Sequence, residues 1–266
     1  MRISFWVVSL FIVLSFPAVA AIVTTANMAE VMNHVDADTL LIFDFDNTII
    51  MPAQTLGGEE WFEYEVDKSV QAALAQGVEE SEAVKRSVAR VLESWNEIQK
   101  VTVTIPVEKD GPALIAAAQK RGARTMGLTA RPIELIAASK RQLKSVGIDF
   151  AGAAFSATPL DLKTDAPARF EDGVVYVGAY NNKGATLVAY LEQVGRTPKK
   201  IVFVDNKAKH VEAVEKALGK FKIDYLGCRH AASDAKVNAF DPAIADIQYR
   251  FFRKILDDPS ARRLLP

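Results

Sequence analysis

Two aspartates two positions apart, Asp44 and Asp46, follow directly on the apolar run at residues 40–43. A continuous apolar run of this kind reads as a strand buried on both faces, as in a parallel sheet. The acids then sit at its C-terminal end, where open α/β sheets place their ligands. Unpaired buried charge is costly, so the pair needs a partner, and a cation is the simplest one. In an ideal strand their spacing points both side chains to one face. At a strand end the backbone can turn and give them different tasks. Two more strand ends carry polar groups: Thr129, after the strand signal at 124–128, and Asp205, after that at 201–204. Brought to one sheet edge, these groups would form a polar site. A calcium loop of the EF-hand kind needs Gly at its sixth position and Glu at its twelfth. Counted from Asp44 those are Ile49 and Thr55, so that reading is set aside. A purely structural role for the two acids stays available at this point.

The elements that must position these residues alternate strand and helix. Residues 21–38 read as a short leading helix, with Met28, Val31, Met32 and Val35 on one side. After the first core strand, 59–76 and 80–99 read as helices. The apolar positions Val84, Val88, Val91, Trp95 and Ile98 of the second step by three and four, the spacing of one packed face. Together they form a helical insertion, residues 51–104, in a core made of 21–50 and 105–266. Further helices are predicted from 109, from Pro132, from Lys183, over 211–218, and from Asp241 through Ile255. The pattern predicts a three-layer α/β fold with a parallel central sheet.

The chain has 266 residues, half of them apolar and 24% charged, with a formal net charge of −1. That balance gives no electrostatic case for binding nucleic acid. Met1 and Arg2 precede an apolar run at 3–16 and the Ala-Val-Ala ending at Ala20. This is the pattern of a secretory signal peptide, residues 1–20, cleaved after Ala20. The run is short for a spanning helix, which needs ~20 apolar residues, so no stable membrane insertion is expected after cleavage. In a bacterium the address would be periplasmic or extracellular. The single cysteine, Cys228, excludes an internal disulfide.

Four segments in order give the chain a resemblance. They are Asp-Phe-Asp-Asn-Thr at 44–48, Gly-Leu-Thr-Ala-Arg at 127–131, Asn-Asn-Lys-Gly at 181–184 and Ile-Val-Phe-Val-Asp at 201–205. With the helical insertion after the first, the chain resembles the haloacid dehalogenase superfamily of phosphohydrolases, in particular a secreted branch of it. The resemblance implies a Rossmann-like core with a helical cap, and hydrolysis of a small phosphate monoester. Asp44 would be the nucleophile, forming an aspartyl-phosphate. Asp46 would carry protons to the leaving oxygen and from the attacking water. Mg²⁺ would be held by the Asp44 side chain, the Asp46 carbonyl and Asp205. Thr129, the Ala130 N–H and Lys183 would bind the phosphoryl oxygens and offset their charge. Many relatives carry a second acid beside or just after the fourth-segment aspartate; here Asn206 stands in the adjacent place. That departure predicts weaker Mg²⁺ binding, and admits a protein that binds a phosphorylated ligand without turnover.

Trp61, Phe62 and Arg131 are candidate substrate-binding residues, the first two at the start of the insertion and the third beside the phosphate segment. Packing of the insertion and a surface charge are the competing readings. His34, His210 and His230 show no metal-ligand spacing and are read as structural or solvent-exposed. The basic C-terminal residues Arg250, Arg253, Lys254, Arg262 and Arg263 read as a solvated helix face.

Overall fold

The computed structural model describes residues 20–252 and 256–265. The signal-peptide segment therefore lies, but for Ala20, outside the described residues, as do Arg253, Lys254 and Ile255. The chain opens with β1 (Ala20–Thr25) and α1 (Met28–Met32), then β2 (Thr39–Phe43) and β3 (Ile50–Pro52). Next come α2 (Glu59–Leu74), α3 (Glu80–Gln99), β4 (Thr104–Pro106), α4 (Gly111–Lys120) and β5 (Arg124–Thr129). A single 3-10 turn, Ile133–Leu135, runs into α5 (Ile136–Ser145). The short strands β6 (Leu160–Asp161), β7 (Arg169–Glu171) and β8 (Val174–Tyr176) follow. The chain continues through α6 (Lys183–Val194), β9 (Lys200–Asp205), α7 (Ala208–Leu218) and β10 (Asp224–His230). It closes with α8 (Asp234–Asn238), α9 (Pro242–Arg250) and α10 (Asp258–Arg262).

The architecture is mixed α/β around an eight-stranded sheet in the order β1-β10-β9-β2-β5-β8-β7-β6. All neighbours from β1 to β8 pair in parallel, and β7 alone is reversed, pairing antiparallel with β8 on one side and β6 on the other. Alternating side chains of the central strands feed two cores. Leu40, Ile42, Ile201 and Phe203 pack with Leu187, Leu191, Val211 and Val214 of α6 and α7. Leu41, Phe43, Val202 and Val204 pack with Met28, Val31, Ile115 and Leu143 of α1, α4 and α5. Burial on both faces is why β2 reads as an unbroken apolar run.

Strand order reverses at β2. The chain moves from β2 to β5 and β8 on one side, then returns to β9 and β10 on the other. The C-terminal ends of β2 and β9 therefore flank the switch point, where open α/β sheets form a ligand crevice. Asp44 follows β2 and Asp205 ends β9; the Asp44 N–H donates to the Val204 carbonyl at 2.9 Å.

β3 and β4 pair antiparallel as a separate ribbon, and α2 and α3 rise between them. The helix pair does not stand apart from the rest. Trp61, Val91, Trp95 and Ile98 share one core with Leu135, Ala138 of α5 and Ala245 of α9.

Two expectations are corrected. Residues 21–38 were expected as one helix, but β1 occupies their start and only Met28–Met32 is helical. The β-branched Ile22, Val23, Thr24 and Thr25 favour extended backbone, and β10 offers them a parallel edge to pair with. The helix from Asp241 stops at Arg250, short of the expected Phe251 and Phe252.

One close approach sets α6 against α7. A Cβ at Gly184 would lie 2.2 Å from the Ala213 carbonyl oxygen. Gly184→Ala must therefore push the two helices apart. The expected cost is about 1–3 kcal/mol of overpacking, enough to outweigh the ~1 kcal/mol of helix propensity that alanine gains. Urea unfolding of the variant measures it.

Candidate functional site

The site is built from the ends of β2, β5 and β9 and the first residue of α6. Asn182 caps α6, its side chain accepting from the Ala185 N–H at 3.1 Å. That cap places Lys183 at the helix start, where the dipole disfavours a cation. Two carboxylates compensate. The Lys183 Nζ donates to Asp44 Oδ1 at 2.5 Å and to Asp205 Oδ2 at 2.7 Å. All three residues are buried: Lys183 and Asp44 are each 4% exposed and Asp205 is fully enclosed. Burial pushes the Asp44 carboxyl up, Lys183 pulls it back and Asp205 raises it again, to about 6. Asp205 is held below the usual carboxylate value: burial would raise it, but Lys183 and His210 outweigh that.

Asp46 turns the other way. Arg131 grips it with two bonds, Nε to Oδ2 at 2.8 Å and Nη2 to Oδ1 at 2.7 Å. The same guanidinium donates to Gln142 Oε1 at 2.6 Å and Ser139 Oγ at 3.0 Å of α5, and to Gln99 Oε1 of α3 at 3.4 Å. It also lies 5.9 Å from the centroid of the Phe45 ring and 5.7 Å from that of Trp95. Phe45 reaches that position over Gly127 of β5, where a Cβ would strike its ring at 2.5 Å. The Asp46–Thr48 turn is sharp, with Asn47 in the left-handed region at φ 59°, a conformation that asparagine tolerates better than most residues.

The sequence-predicted residues thus separate into groups. Asp44, Lys183 and Asp205 meet directly. Asp46 and Thr129 meet through Arg131, whose backbone N–H donates to the Thr129 hydroxyl at 3.2 Å. Ala130 lies exposed at the rim. Arg131 is only 2% exposed, with its guanidinium committed to Asp46 and α5. Its reading as a surface charge gives way to an internal ion pair. Trp61 packs against Tyr249 at 5.6 Å between ring centroids, and Phe62 against Trp95 at 6.1 Å. The structure uses both rings to join α2 to its neighbours.

Two residues were missed. His210, read as structural or exposed, places Nδ1 at 3.1 and 3.2 Å from the two Asp205 oxygens. Its position in the first turn of the helix after Asp205 was the available signal. Glu59, the first residue of α2, accepts from Asn206 Nδ2 at 3.1 Å and pairs with Lys207 Nζ at 3.2 Å. Burial raises its carboxyl and Lys207 lowers it, with Asp44 and Asp46 adding to the rise, to about 7. Its neighbour Glu60 accepts from Asn47 Nδ2 at 3.1 Å. The acidic pair in Gly-Gly-Glu-Glu-Trp was the signal, but nothing in sequence says that the first residue of this helix folds back onto the site.

Removing one partner of a buried, bidentate pair leaves the other charge stranded. Arg131→Met is expected to cost about 3–5 kcal/mol. Adding Asp46→Asn to it should recover part of that loss, as a double-mutant cycle in urea would measure.

Comparison with known proteins places this chain in a family. A protein of Chlamydia pneumoniae, provisionally named an outer membrane protein, is 28% identical over 228 residues, covering 85% of this chain and 81% of its own. A Chlamydia trachomatis protein of the same provisional name is 27% identical over 91% of this chain and 89% of its own. An uncharacterised protein of Rickettsia prowazekii is 26% identical over 91% and 89%. Among the described residues no helix is long and apolar enough to cross a membrane. The assignment to the haloacid dehalogenase superfamily is corrected by the family model that matches, which is a different one. Short polar motifs at strand ends are few residues each, and their order alone does not fix membership. The model described as "Protein of unknown function (DUF2608)" matches residues 24–262, and the chain belongs to that family.

Proposed function

We propose that the site cleaves a small phosphate monoester, with Asp44 as the nucleophile. The observation that carries this reading is the Asp44–Lys183–Asp205 cluster at the sheet's switch point. A carboxylate there is buried, aimed by a bond from the Thr48 hydroxyl to Oδ2 at 3.2 Å, and charge-balanced by an ammonium on its other oxygen. Asp44 attacks phosphorus in line as the ester oxygen leaves, giving an aspartyl-phosphate; water then attacks that phosphorus and returns the carboxylate. Lys183 offsets charge on the nucleophile and the transferring group. Thr129 and the Ala130 N–H border the phosphoryl position. Both Asp46 oxygens are held by Arg131, so giving or taking a proton there requires one guanidinium bond to be exchanged.

The donor set also fits Mg²⁺. Among the described residues no group of three or more His, Cys, Asp or Glu side chains is placed to hold a metal. Mg²⁺ commonly takes only one or two carboxylates and completes its shell with waters and phosphate. Asp44 and Asp205 would supply those carboxylates and Asp46 its backbone carbonyl. When bound, the cation offsets the repulsion between the Asp44 carboxylate and a phosphate dianion. The helices α2 and α3 would act as a cap, which favours small substrates. A second reading, ligand binding without turnover, draws on the Arg131 grip on Asp46 and on Asn206.

Export fits the N-terminal pattern and the names of the relatives. N-terminal sequencing of the protein recovered from outside the cytoplasm should begin at Ala21; an intact Met1 would remove the cleavage. Hydrolysis of p-nitrophenyl phosphate with Mg²⁺ tests the chemistry. The wild type should turn over and Asp44→Asn should not. Equal rates in the two would end the nucleophile assignment, and a wild type that binds phosphate without releasing nitrophenol would favour the second reading.

A further inference from the structure

The sequence lacks an acid at position 206, yet the structure brings one there from elsewhere. The Asn206 amide points its nitrogen at Glu59 Oε2, while its backbone N–H donates to the Thr48 hydroxyl at 2.9 Å. That hydroxyl donates in turn to Asp44 Oδ2. A continuous hydrogen-bonded path therefore links Asp44, Thr48, Asn206 and Glu59. The Glu59 side chain is only 20% exposed. An acid at the first position of a helix ordinarily serves its own N-terminus. Here both carboxylate oxygens look outward instead, one to Asn206 and one to Lys207. Asp44, Asp46, Asp205, Glu59 and Glu63 face Lys183, Arg131 and Lys207, with His210 beside Asp205, so carboxylates outnumber the lysine and arginine charges that meet them.

We propose that Glu59 is the second acid of this site, a positioning residue delivered by α2 that acts on a divalent cation at Asp44 and Asp205 through the Asn206 amide. The proposal rests on the cation reading above. Its consequence is a linkage: seating α2 on the β9 loop and holding the cation favour one another, so the cap and the metal report each other's state.

The test is Mn²⁺ binding to the purified protein, followed by the electron paramagnetic resonance of free Mn²⁺, with no turnover needed. Losing an acid of the outer shell should weaken binding roughly tenfold or more in Glu59→Gln. Moving the acid across the contact, in Glu59→Gln with Asn206→Asp, should restore affinity to within about threefold of wild type. A merely structural Glu59 would not be rescued by that exchange, so an unrescued loss overturns the proposal. Unchanged binding in Glu59→Gln overturns it while leaving the cation reading intact. A wild type without saturable Mn²⁺ binding overturns both. Should Glu59→Gln lose its cooperative melt, Lys207→Met decides. Freed of its ammonium, Glu59 should then tighten Mn²⁺ binding by about threefold, and unchanged or weaker binding counts against the role.

Discussion

Lys183 carries a full positive charge into a nearly dry place at the start of a helix, against the sign of the helix dipole. It persists because Asp44 and Asp205 meet it from two different strands. Burial alone would pull the ammonium down, but Asp205 and Asp44 outweigh it and hold it above the usual lysine value. The dependence runs both ways. Without the ammonium, two carboxylates would face each other across the β2–β9 boundary with nothing between them, an arrangement costly by several kcal/mol. The register of β2 on β9, the cap at Asn182 and the tight passage at Gly184 all serve to bring one nitrogen between two acids.

A second charged contact, Arg131 with Asp46, does for α3 and α5 what Lys183 does for the sheet. Its donors reach Gln99 on one helix and Ser139 and Gln142 on the other. Gln99 itself donates to the Gly57 carbonyl at 2.6 Å, just ahead of α2. The α2–α3 pair is thereby tied to the site at both its ends, through Glu59 and Glu60 at its start and Gln99 at its finish. Its aromatic core is shared with α5 and α9. The Gln99 end of this pair and the Asp46 carboxylate therefore belong to one hydrogen-bonded network, joined at the Arg131 guanidinium.

The parts legible in sequence were those encoded locally. Apolar runs at β2 and β9 that end in aspartate needed no tertiary knowledge, since burial on both faces leaves a continuous signal. The helix face of α3 was equally plain, and its bounds at Glu80 and Gln99 match the expected span. What failed depended on partners distant in the chain. β1 is a strand because β10 lies beside it, some two hundred residues away in sequence. Arg131 could be read as a surface charge because it stands just before a helix start. Only the fold reveals that Asp46 and α5 surround it. Glu59 and His210 each sit on a helix near a loop, and ordinary surface residues do the same.

The resemblance drawn from four motifs shows where such reasoning divides. Strand-end acids, a hydroxyl and a lysine are what a doubly wound sheet must gather at its switch point to handle an anion. They follow from the chemistry as much as from descent, so finding them in order does not fix a family. Asn206 makes the same point from the other side. Read along the chain, it is a lost charge, and the site looks weakened. Seen in space, its amide joins the β9 loop to a carboxylate on α2 that the chain order hides. A buried site gathers its charges in space, so a carboxylate at the start of one helix can stand beside a loop some hundred and fifty residues further along the chain that carries none.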